Sequence, residues 1–469
     1  MNTHFFILMK AELSLGLILF LLLILKLTDR SGSSKQILGI ANVLLLLNFA
    51  LGFFFNKEGS LFSGMYNTNS AIVLEKNILN AGLLLISFMA YDWIKTHPHL
   101  TEFYLLMIST VMGLFYMISS GTFLMFYLGL ELASIPLAAL VNFDLEKRKS
   151  SEAAMKLILN SAFASGFFLF GISLLYGASG TLSFSELFAS GEVSAFQLCA
   201  LVFIFSGFAF KLSAVPFHFW TADVYEGAPV PVTAFLSVLS KAATAFVFIS
   251  VLIPLFHAVP KLYYTLLLIT IVFTILIGNL FAIRQTNIKR FLAFSSIAQV
   301  GYIFYGLSSG AVSGISSAVF FLIVYLFSNL AAFAVIGLVS VQSGKENIED
   351  YKGFYKNNPF LSWVLGIALF SLAGIPPTAG FFGKLFLLTS GTSGGNYGLL
   401  AFAALNMVVS LYYYLRLIRA VFIDQSDEAL PALRVNPWLR AALLICLGGM
   451  LFSGLSDHLP DYIQSAFNF

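Results

Sequence analysis

The chain has 469 residues, of which 59% are hydrophobic and only 10% are charged, whereas a soluble domain carries about 25% charged residues. So few charges cannot cover a water-exposed surface. The composition therefore excludes a soluble multi-domain protein and indicates a polytopic membrane protein surrounded by lipid. The formal net charge is +3. Because basic residues in such a chain mainly set its orientation across the bilayer, no nucleic-acid partner is predicted.

The two cysteines argue against a redox centre on this chain. Cys199 and Cys446 both lie in apolar runs, and two cysteines cannot ligate a four-cysteine iron–sulfur cluster. No other spacing typical of metal ligands occurs. We therefore expect the chain to bind no metal and no cofactor of its own.

The whole chain divides into apolar runs of about 20 residues. This is the length that crosses a hydrocarbon core of roughly 30 Å. They predict an all-α integral membrane protein with about fourteen transmembrane helices. The predicted spans are residues 5–27, 37–56, 72–94, 102–119, 121–143, 156–177, 196–217, 230–256, 262–283, 290–309, 314–342, 360–390, 398–423 and 439–456.

The basic residues support this number of spans. Connections that follow odd-numbered spans hold 17 Lys and Arg residues, whereas those that follow even-numbered spans hold three, Lys57, Lys76 and Lys261. An error of one span would destroy this alternation. Because cytoplasmic connections carry the excess of positive charge, the odd-numbered connections are predicted to be cytoplasmic. Both chain termini are then predicted on the opposite side of the membrane from the cytoplasm.

Four charged residues remain deep inside predicted spans. Lys211, Lys241 and Lys384 lie in the seventh, eighth and twelfth spans. Among the acidic residues, only Glu131, in the fifth span, is predicted at a similar depth. A charge at the bilayer centre costs from about 3 to over 10 kcal/mol, so these residues require partners or a polar path.

One interpretation is that these charges form structural ion pairs that fix helix packing. Three lysines cannot all be neutralised by one carboxylate, however, and an unpaired ammonium group in a medium of low dielectric constant tends to release its proton. The four residues are therefore also candidates for a proton relay. His218, close to Lys211 in the sequence, is a candidate relay residue or a packing residue.

Two of the spans are predicted to be broken. Pro216 follows Lys211, and Pro376 and Pro377 precede Lys384; proline interrupts a helix. Interrupted spans at corresponding positions are typical of inverted repeats with ion sites at the breaks. We therefore predict two inverted five-helix repeats, spans four to eight and nine to thirteen, with broken helices 7 and 12. The corresponding segments are an N-terminal three-helix segment (1–101), the two repeats (102–256 and 257–423) and a C-terminal helix and tail (424–469).

Three stretches of the chain have distinctive sequences. The first is Asp223-Val-Tyr-Glu226-Gly-Ala-Pro229, and the others are Gln285-Thr-Asn-Ile-Lys289-Arg-Phe-Leu-Ala-Phe-Ser-Ser-Ile-Ala-Gln299-Val-Gly-Tyr302 and Ala373-Gly-Ile-Pro-Pro-Thr-Ala-Gly-Phe-Phe-Gly-Lys384. They resemble a known family, the antiporter-like membrane subunits of bacterial NADH–quinone oxidoreductase, respiratory complex I. The first stretch is the most specific and is typical of the N-type members. Ala222 stands where the family usually has proline, and Gln299 stands where many members have histidine.

The resemblance implies a proton-translocating subunit whose relay residues match Glu131, Lys211, Lys241 and Lys384. Gln299 cannot be protonated but can hold water by hydrogen bonds, and Lys289 and His218 are further candidates for a relay or water-holding role. NADH, FMN, iron–sulfur clusters and quinone would be bound by partner subunits. The implied partners are the antiporter-like subunit M, the small subunits A, J and K and, indirectly, the peripheral arm.

Other functions remain open from the sequence. A subunit of an Mrp-type cation/proton antiporter, or of a membrane-bound hydrogenase, would have a similar fold and the same buried charges. A structural membrane subunit would use these charges only for packing. The stretch from Asp223 to Pro229 favours the respiratory complex over the antiporter.

Overall fold

The computed structural model describes residues 3–28, 34–187, 193–392, 395–426, 429–456 and 458–467. The N-terminal part contains α1 (Thr3–Leu8), α2 (Lys10–Thr28), α3 (Ser34–Leu51), β1 (Gly59–Leu61), β2 (Tyr66–Thr68) and α4 (Ser70–Ile94). The next part contains α5 (Leu100–Ile118), α6 (Phe123–Val141), α7 (Arg148–Ser179), α8 (Ala195–Leu212), α9 (Phe219–Gly227), α10 (Val230–Phe235), α11 (Lys241–Val247) and α12 (Ile253–Phe256).

The second half of the chain is also helical. It contains α13 (Pro260–Arg284), α14 (Ile288–Leu307), α15 (Val312–Ser343), α16 (Phe354–Asn357), α17 (Pro359–Ala373), α18 (Ala379–Gly391) and α19 (Tyr397–Phe422). At its end are α20 (Pro437–Phe452) and α21 (His458–Ala466). The helix α21 lies beyond the fourteen predicted spans.

Helices cover all fourteen predicted spans. Among the described residues, nine helical stretches are long and apolar enough to cross a membrane: α4 to α8, the stretch from α10 to α12, α13, α15 and α19. Shorter apolar helices comprise α17, α20 and residues Gln36–Leu51 of α3. The chain is a membrane protein with a predominantly α-helical fold, as predicted, apart from the small antiparallel hairpin of β1 and β2.

Polar residues start several of these helices. The side chains of Asn69, Thr122, Ser194, Asn287 and Asn436 each accept a hydrogen bond from a backbone N–H of the first turn. Such caps satisfy donors that have no partner within the helix. The start of each of these five helices is therefore determined by local sequence.

Both predicted breaks are present. α8 ends at Leu212, where Ser213 adopts a left-handed conformation (φ 63°), and the chain resumes as α9. α17 ends at Ala373, where Gly374 has φ 84°, and the chain resumes as α18. In both cases the helix ends at a residue with positive φ, a common way for a helix to stop. Lys211 precedes the first break, and Lys384 follows the second.

The eighth span contains an irregularity that was not predicted. Two π-helical segments, Leu236–Ser240 and Phe248–Leu252, flank α11. Lys241 is the first residue of α11, directly after the first of these segments. π-Helical turns inside α-helices often mark functional sites, and no feature of local sequence predicted this one.

Glycines allow two helix pairs to pack closely. A Cβ atom at Gly129 on α6 would lie 2.5 Å from the backbone nitrogen of Met117 on α5. A Cβ atom at Gly278 on α13 would lie 2.6 Å from the backbone nitrogen of Ala298 on α14. These pairs are the first two helices of each predicted five-helix repeat.

Gly129→Ala is therefore expected to destabilise the protein by about 1–3 kcal/mol, the usual cost of overpacking. The new methyl group would meet backbone atoms, which cannot rotate away. Thermal unfolding in detergent measures the effect. Gly166→Ala on α7 is the matched control because its Cβ would meet no atom within 4 Å; an equal loss of stability in both variants would contradict the packing argument.

The structure corrects the placement of Lys76 and shows two further buried acids. Lys76, assigned above to a connection, lies within α4 and is only 4% exposed. Glu12 and Glu75, which the sequence did not single out, are 2% and 1% exposed. The three residues lie close to span ends, so apolar run length alone did not reveal their burial.

Candidate functional site

Glu131 and Lys211 face the same cavity. It has a volume of about 670 Å³, is open to the surface of the chain, and is lined by residues of α6, α7, α8 and the start of the eighth span. Ser165 on α7 donates a hydrogen bond to Glu131 Oε1 at 2.7 Å. Lys211 Nζ donates to Ser134 Oγ on α6 at 2.6 Å and to Ser161 Oγ on α7 at 3.3 Å.

Serine hydroxyl groups therefore stand between the carboxylate and the ammonium group. Glu131 and Lys211 form no direct salt bridge in the described part of the chain. A cavity of this size and polarity has room for water, which needs about 10–15 Å³ per molecule and polar partners. The arrangement can hold water between the two charges and exchange a proton between them.

The cavity extends to the residue that precedes Lys241. Its lining includes Leu236 and Ser240 from the first π-helical segment. Lys241 itself is 3% exposed, and its Nζ donates a hydrogen bond to Ser296 Oγ on α14 at 2.7 Å. The ammonium group also lies 5.7 Å from the centre of the Tyr225 ring. Its partners are thus a hydroxyl group and an aromatic face.

A set of hydroxyl and amide groups continues from α14 towards the second break. Ser295, next to Ser296, is hydrogen-bonded to the hydroxyl group of Tyr414 on α19. Gln299 Nε2 donates to that same hydroxyl group and to the carbonyl oxygen of Leu372, both at 3.1 Å. Gln299 thereby joins Tyr414 to the end of α17.

Lys384 lies at the end of this set. It is 1% exposed, and its Nζ donates to the carbonyl oxygen of Ala373 at 3.1 Å, next to the carbonyl group that Gln299 contacts. The ammonium group is 5.3 Å from the centre of the Tyr302 ring. The side chain runs alongside the backbone of Gly374, because a Cβ atom there would lie 2.9 Å from Lys384 Cδ.

We call Glu131, Lys211, Lys241 and Lys384 the central axis. Within the described residues, none of its three lysines forms a salt bridge. When a charged amine is buried away from water without an anionic partner, its neutral form is favoured. Each lysine instead contacts hydroxyl or carbonyl oxygens that can exchange or orient a proton.

His218 and Lys289 lie apart from these contacts. His218 is 7% exposed at the start of α9, its ring lies 4.6 Å from that of Phe219, and its Nδ1 has no hydrogen-bond partner among the described residues. Lys289, at the start of α14, forms a salt bridge of 3.1 Å with Glu346. Neither residue lines the cavity of Glu131 and Lys211.

Asp223 and Glu226 of the specific stretch on α9 are bound by neighbouring helices. Arg290 on α14 contacts Asp223 at 2.6 Å and Glu226 at 2.9 Å. Lys156 and Lys149 on α7 contact the same two carboxylates at 2.6 Å and 2.8 Å, respectively. The two acids hold α7, α9 and α14 together.

The sequence analysis did not identify the polar side chains that lie around the charged residues of the central axis. Ser134 is one turn from Glu131, and Ser161 and Ser165 are one turn apart on α7, so helical spacing could have indicated a polar face. Ser296 is part of a stretch that was recognised for its resemblance. No sequence signal pointed to Tyr414, because its contact with Ser295 and Gln299 depends on tertiary packing.

Comparison with known proteins decides the family. A family model described as NADH:quinone oxidoreductase/Mrp antiporter, TM, matches residues 120–410. The chain belongs to the NADH:quinone oxidoreductase/Mrp antiporter family. Among similar members of this family is NADH-quinone oxidoreductase subunit N of Phocaeicola vulgatus, which is 44% identical over 451 residues and 95% of each chain. The resemblance inferred from sequence is confirmed.

Other proteins are similar to this chain over most of its length. NAD(P)H-quinone oxidoreductase subunit 2 of a Picosynechococcus species is 38% identical over 87% of this chain and 80% of its own length. A chain of respiratory complex I from Thermus thermophilus superposes with a TM-score of 0.82 at 29% identity, covering 97% of this chain and 98% of that one. A chain of the Mrp complex of a Dietzia species superposes with a TM-score of 0.86 at 20% identity over 98% and 96%, which shows a common fold.

Proposed function

We propose that the chain is a proton-translocating, antiporter-like membrane subunit of an NADH–quinone oxidoreductase. The observation that carries the proposal is the set of three buried or partly buried lysines without carboxylate partners, each of which donates to a hydroxyl or carbonyl oxygen. Its support is the 44% identity to a subunit N over 95% of both chains. As a subunit, the chain takes part in an enzyme, a translocase.

The proposed mechanism uses the charge of Glu131 to control Lys211. Energy released by NADH oxidation and quinone reduction reaches this chain as a conformational or electrostatic change. When the two charges separate, Lys211 loses electrostatic support for its proton, which passes by water and Ser240 to Lys241. Ser296, Tyr414 and Gln299 order the onward path to Lys384, which releases the proton to the outer side.

The redox chemistry belongs to partner subunits in this proposal. NADH, FMN, iron–sulfur clusters and quinone would be bound there, and this chain would contribute protonatable side chains. The proposed neighbours are the antiporter-like subunit M and the small subunits A, J and K, with the peripheral arm acting at a distance. The complex would lie in the bacterial inner membrane, with both termini of this chain on the periplasmic side.

The two breaks and the two close helix pairs support the proposed inverted repeats. α5 and α6 begin the first repeat (102–256), and α13 and α14 begin the second (257–423). In each repeat, a glycine allows close contact between the first two helices, and one helix is interrupted near a lysine. The N-terminal segment (1–101) and the C-terminal segment (424–469) flank the repeats.

Gentle detergent extraction with an affinity tag on this chain tests the assignment. We expect a large complex with flavin and iron–sulfur subunits, identified by mass spectrometry, that reduces quinone with NADH. Recovery with small antiporter subunits alone, and transport that depends on sodium, would instead assign the chain to an Mrp-type antiporter. Recovery with nickel–iron hydrogenase subunits would assign it to a membrane-bound hydrogenase.

Gln299 provides a prediction for the second half of the path. Gln299→Leu removes both donated hydrogen bonds and leaves the carbonyl oxygen of Leu372 without this donor. Leaving a buried polar group unpaired costs about 1–3 kcal/mol, so we expect the part of NADH-driven proton pumping that passes through this chain to fall roughly fivefold or more. Dye quenching in inverted membrane vesicles measures the rate.

Gln299→His is the matched variant because imidazole can still donate a hydrogen bond. We expect it to retain most of the pumping. Equal losses in both variants, with normal amounts of assembled complex, would contradict the role assigned to this donor.

A further inference from the structure

The two carboxylates of α9 are each bound at both oxygens. Asp223 Oδ1 and Oδ2 contact Arg290 and Lys156, both at 2.6 Å. Glu226 Oε1 and Oε2 contact Lys149 at 2.8 Å and Arg290 at 2.9 Å. We call these five residues the α9 clamp. Because its cations belong to α7 and α14, the clamp fixes α9 between two long helices.

A close backbone contact supports this position of α9. A Cβ atom at Gly227, the last residue of α9, would lie 2.3 Å from the carbonyl oxygen of Lys149 and 2.6 Å from the Cβ atom of Ala153. The end of α9 therefore lies directly against α7. Movement of α9 away from α7 would separate Glu226 from Lys149.

An aromatic side chain of α9 contacts the backbone next to Lys211. Trp220 lies one turn before Asp223 and lines the cavity of Glu131 and Lys211. Its Nε1 donates a hydrogen bond to the carbonyl oxygen of Phe210 at 3.1 Å. Phe210 directly precedes Lys211 near the end of α8. Trp220 therefore links α9 to the segment that carries Lys211.

A second aromatic side chain of α9 reaches Lys241. Tyr225 is fully buried, and the centre of its ring lies 5.7 Å from Lys241 Nζ, within the range of a cation–π interaction. The carbonyl oxygen of Tyr225 accepts a hydrogen bond from Thr233 Oγ1 on α10 at 3.0 Å. Tyr225 thus connects α9 both to the start of the eighth span and to the side chain of Lys241.

The clamp is open to solvent, whereas the two aromatic contacts are buried. All five clamp residues line a cavity of about 210 Å³, and three of them also line one of about 640 Å³. The side chains of Asp223 and Arg290 are 33% and 30% exposed. Partly exposed ion pairs are individually weak and are screened by salt. A change of charge at this surface can therefore shift α9 without unfolding the chain.

We propose that the α9 clamp positions Lys211 and Lys241 of the central axis through α9. Trp220 holds the end of α8 that carries Lys211. Tyr225 holds an aromatic face against Lys241. The clamp residues are positioning residues, and none of them carries the transferred proton. The inference rests on the proposed translocation function and extends it to residues outside the central axis.

Arg290→Gln tests the clamp because a single nitrogen of Arg290, Nη1, contacts both carboxylates. The variant removes the link to α14 and leaves Lys149 and Lys156 in place. In the purified complex that contains this chain, we expect the backbone amides of Phe219–Gly227 to exchange with deuterated water about threefold faster or more. Mass spectrometry measures the exchange, which does not depend on proton transport. Exchange equal to that of the wild type would overturn the clamp.

Proton pumping by the same variant tests the link between the clamp and the relay. We expect the part of NADH-driven pumping that passes through this chain to fall about threefold or more, with normal amounts of assembled complex. Arg290→Lys should retain most of it, because one ammonium group can contact both carboxylates as Nη1 does. Arg284→Gln is the matched control because Arg284 is exposed at the end of α13.

Two outcomes separate this inference from the proposed function. Normal pumping by Arg290→Gln, in a complex where Lys241→Met lowers pumping, would overturn the link between the clamp and the relay. Normal pumping by Lys241→Met itself would overturn the proposed function and the link with it, but not the clamp, which amide exchange measures separately.

A double-mutant cycle with Tyr225→Leu distinguishes positioning from a general loss of structure. Tyr225→Leu removes the aromatic face at Lys241. If the clamp acts through α9, Arg290→Gln combined with Tyr225→Leu should reduce pumping by less than the product of the two single reductions, because both changes disturb the same contact. Reductions that multiply would show independent effects and would overturn the path through Tyr225.

Discussion

Lys241→Met is expected to stop proton transfer along the central axis and to lower flux through this chain tenfold or more. Lys241 lies between the cavity of Lys211 and the hydroxyl groups of α14, where its Nζ donates to Ser296 at 2.7 Å. A methionine cannot carry a proton, and a proton that crosses this point without the amine meets a barrier of about 3 kcal/mol or more. Because 1.4 kcal/mol corresponds to a factor of ten, the loss should be large.

The variant should still fold. Methionine has a similar length, and replacing a buried charge by an apolar side chain of similar volume is often neutral or stabilising. Dye quenching in inverted vesicles gives the pumping rate, and NADH oxidation with an artificial acceptor gives the amount of complex. Lys261→Met is the control because Lys261 is exposed at the start of α13; a loss of pumping in this control equal to that of Lys241→Met would contradict the assignment.

Glu131→Gln is expected to slow the first transfer by tenfold or more. Glutamine has the same shape and can still accept the hydrogen bond from Ser165, which Glu131 accepts at 2.7 Å. It lacks the negative charge that supports the proton of Lys211 across the cavity. The variant therefore separates the electrostatic role of Glu131 from its packing role.

Ser165→Ala should have a smaller effect than Glu131→Gln, because it removes one hydrogen bond and leaves the negative charge of Glu131 in place. The pumping rate of both variants would be measured at several membrane potentials. Glu186→Gln is the control because Glu186 is exposed. If Glu131→Gln pumped like the wild type while Ser165→Ala did not, the charge would have no part in gating.

The spans and breaks could be predicted from sequence because their causes are local. Apolar run length sets the spans, and Pro216 and Pro377 stand where the two helices are interrupted. The depth of Lys211, Lys241 and Lys384 followed from their distance to the ends of apolar runs. Each is buried or partly buried in the structure, as that depth required.

The connecting groups could not be predicted in the same way. Tyr414 and Ser295 are 119 residues apart, so their contact depends on how α19 packs against α14. The π-helical segment before Lys241 also has no proline or glycine to indicate it. Lys76 was misplaced because a residue near the start of a span can lie at the surface or be enclosed by neighbouring elements, here α2 and the β1–β2 hairpin.

The proton-to-electron ratio of the purified complex in liposomes tests the central claim most directly. The complex would carry Lys211→Met, Lys241→Met and Lys384→Met together, and NADH oxidation and internal acidification would be recorded in the same sample. We predict a ratio below that of the wild type by the share that this chain transports, in a complex of normal composition. An unchanged ratio in such a complex would contradict proton translocation through this chain.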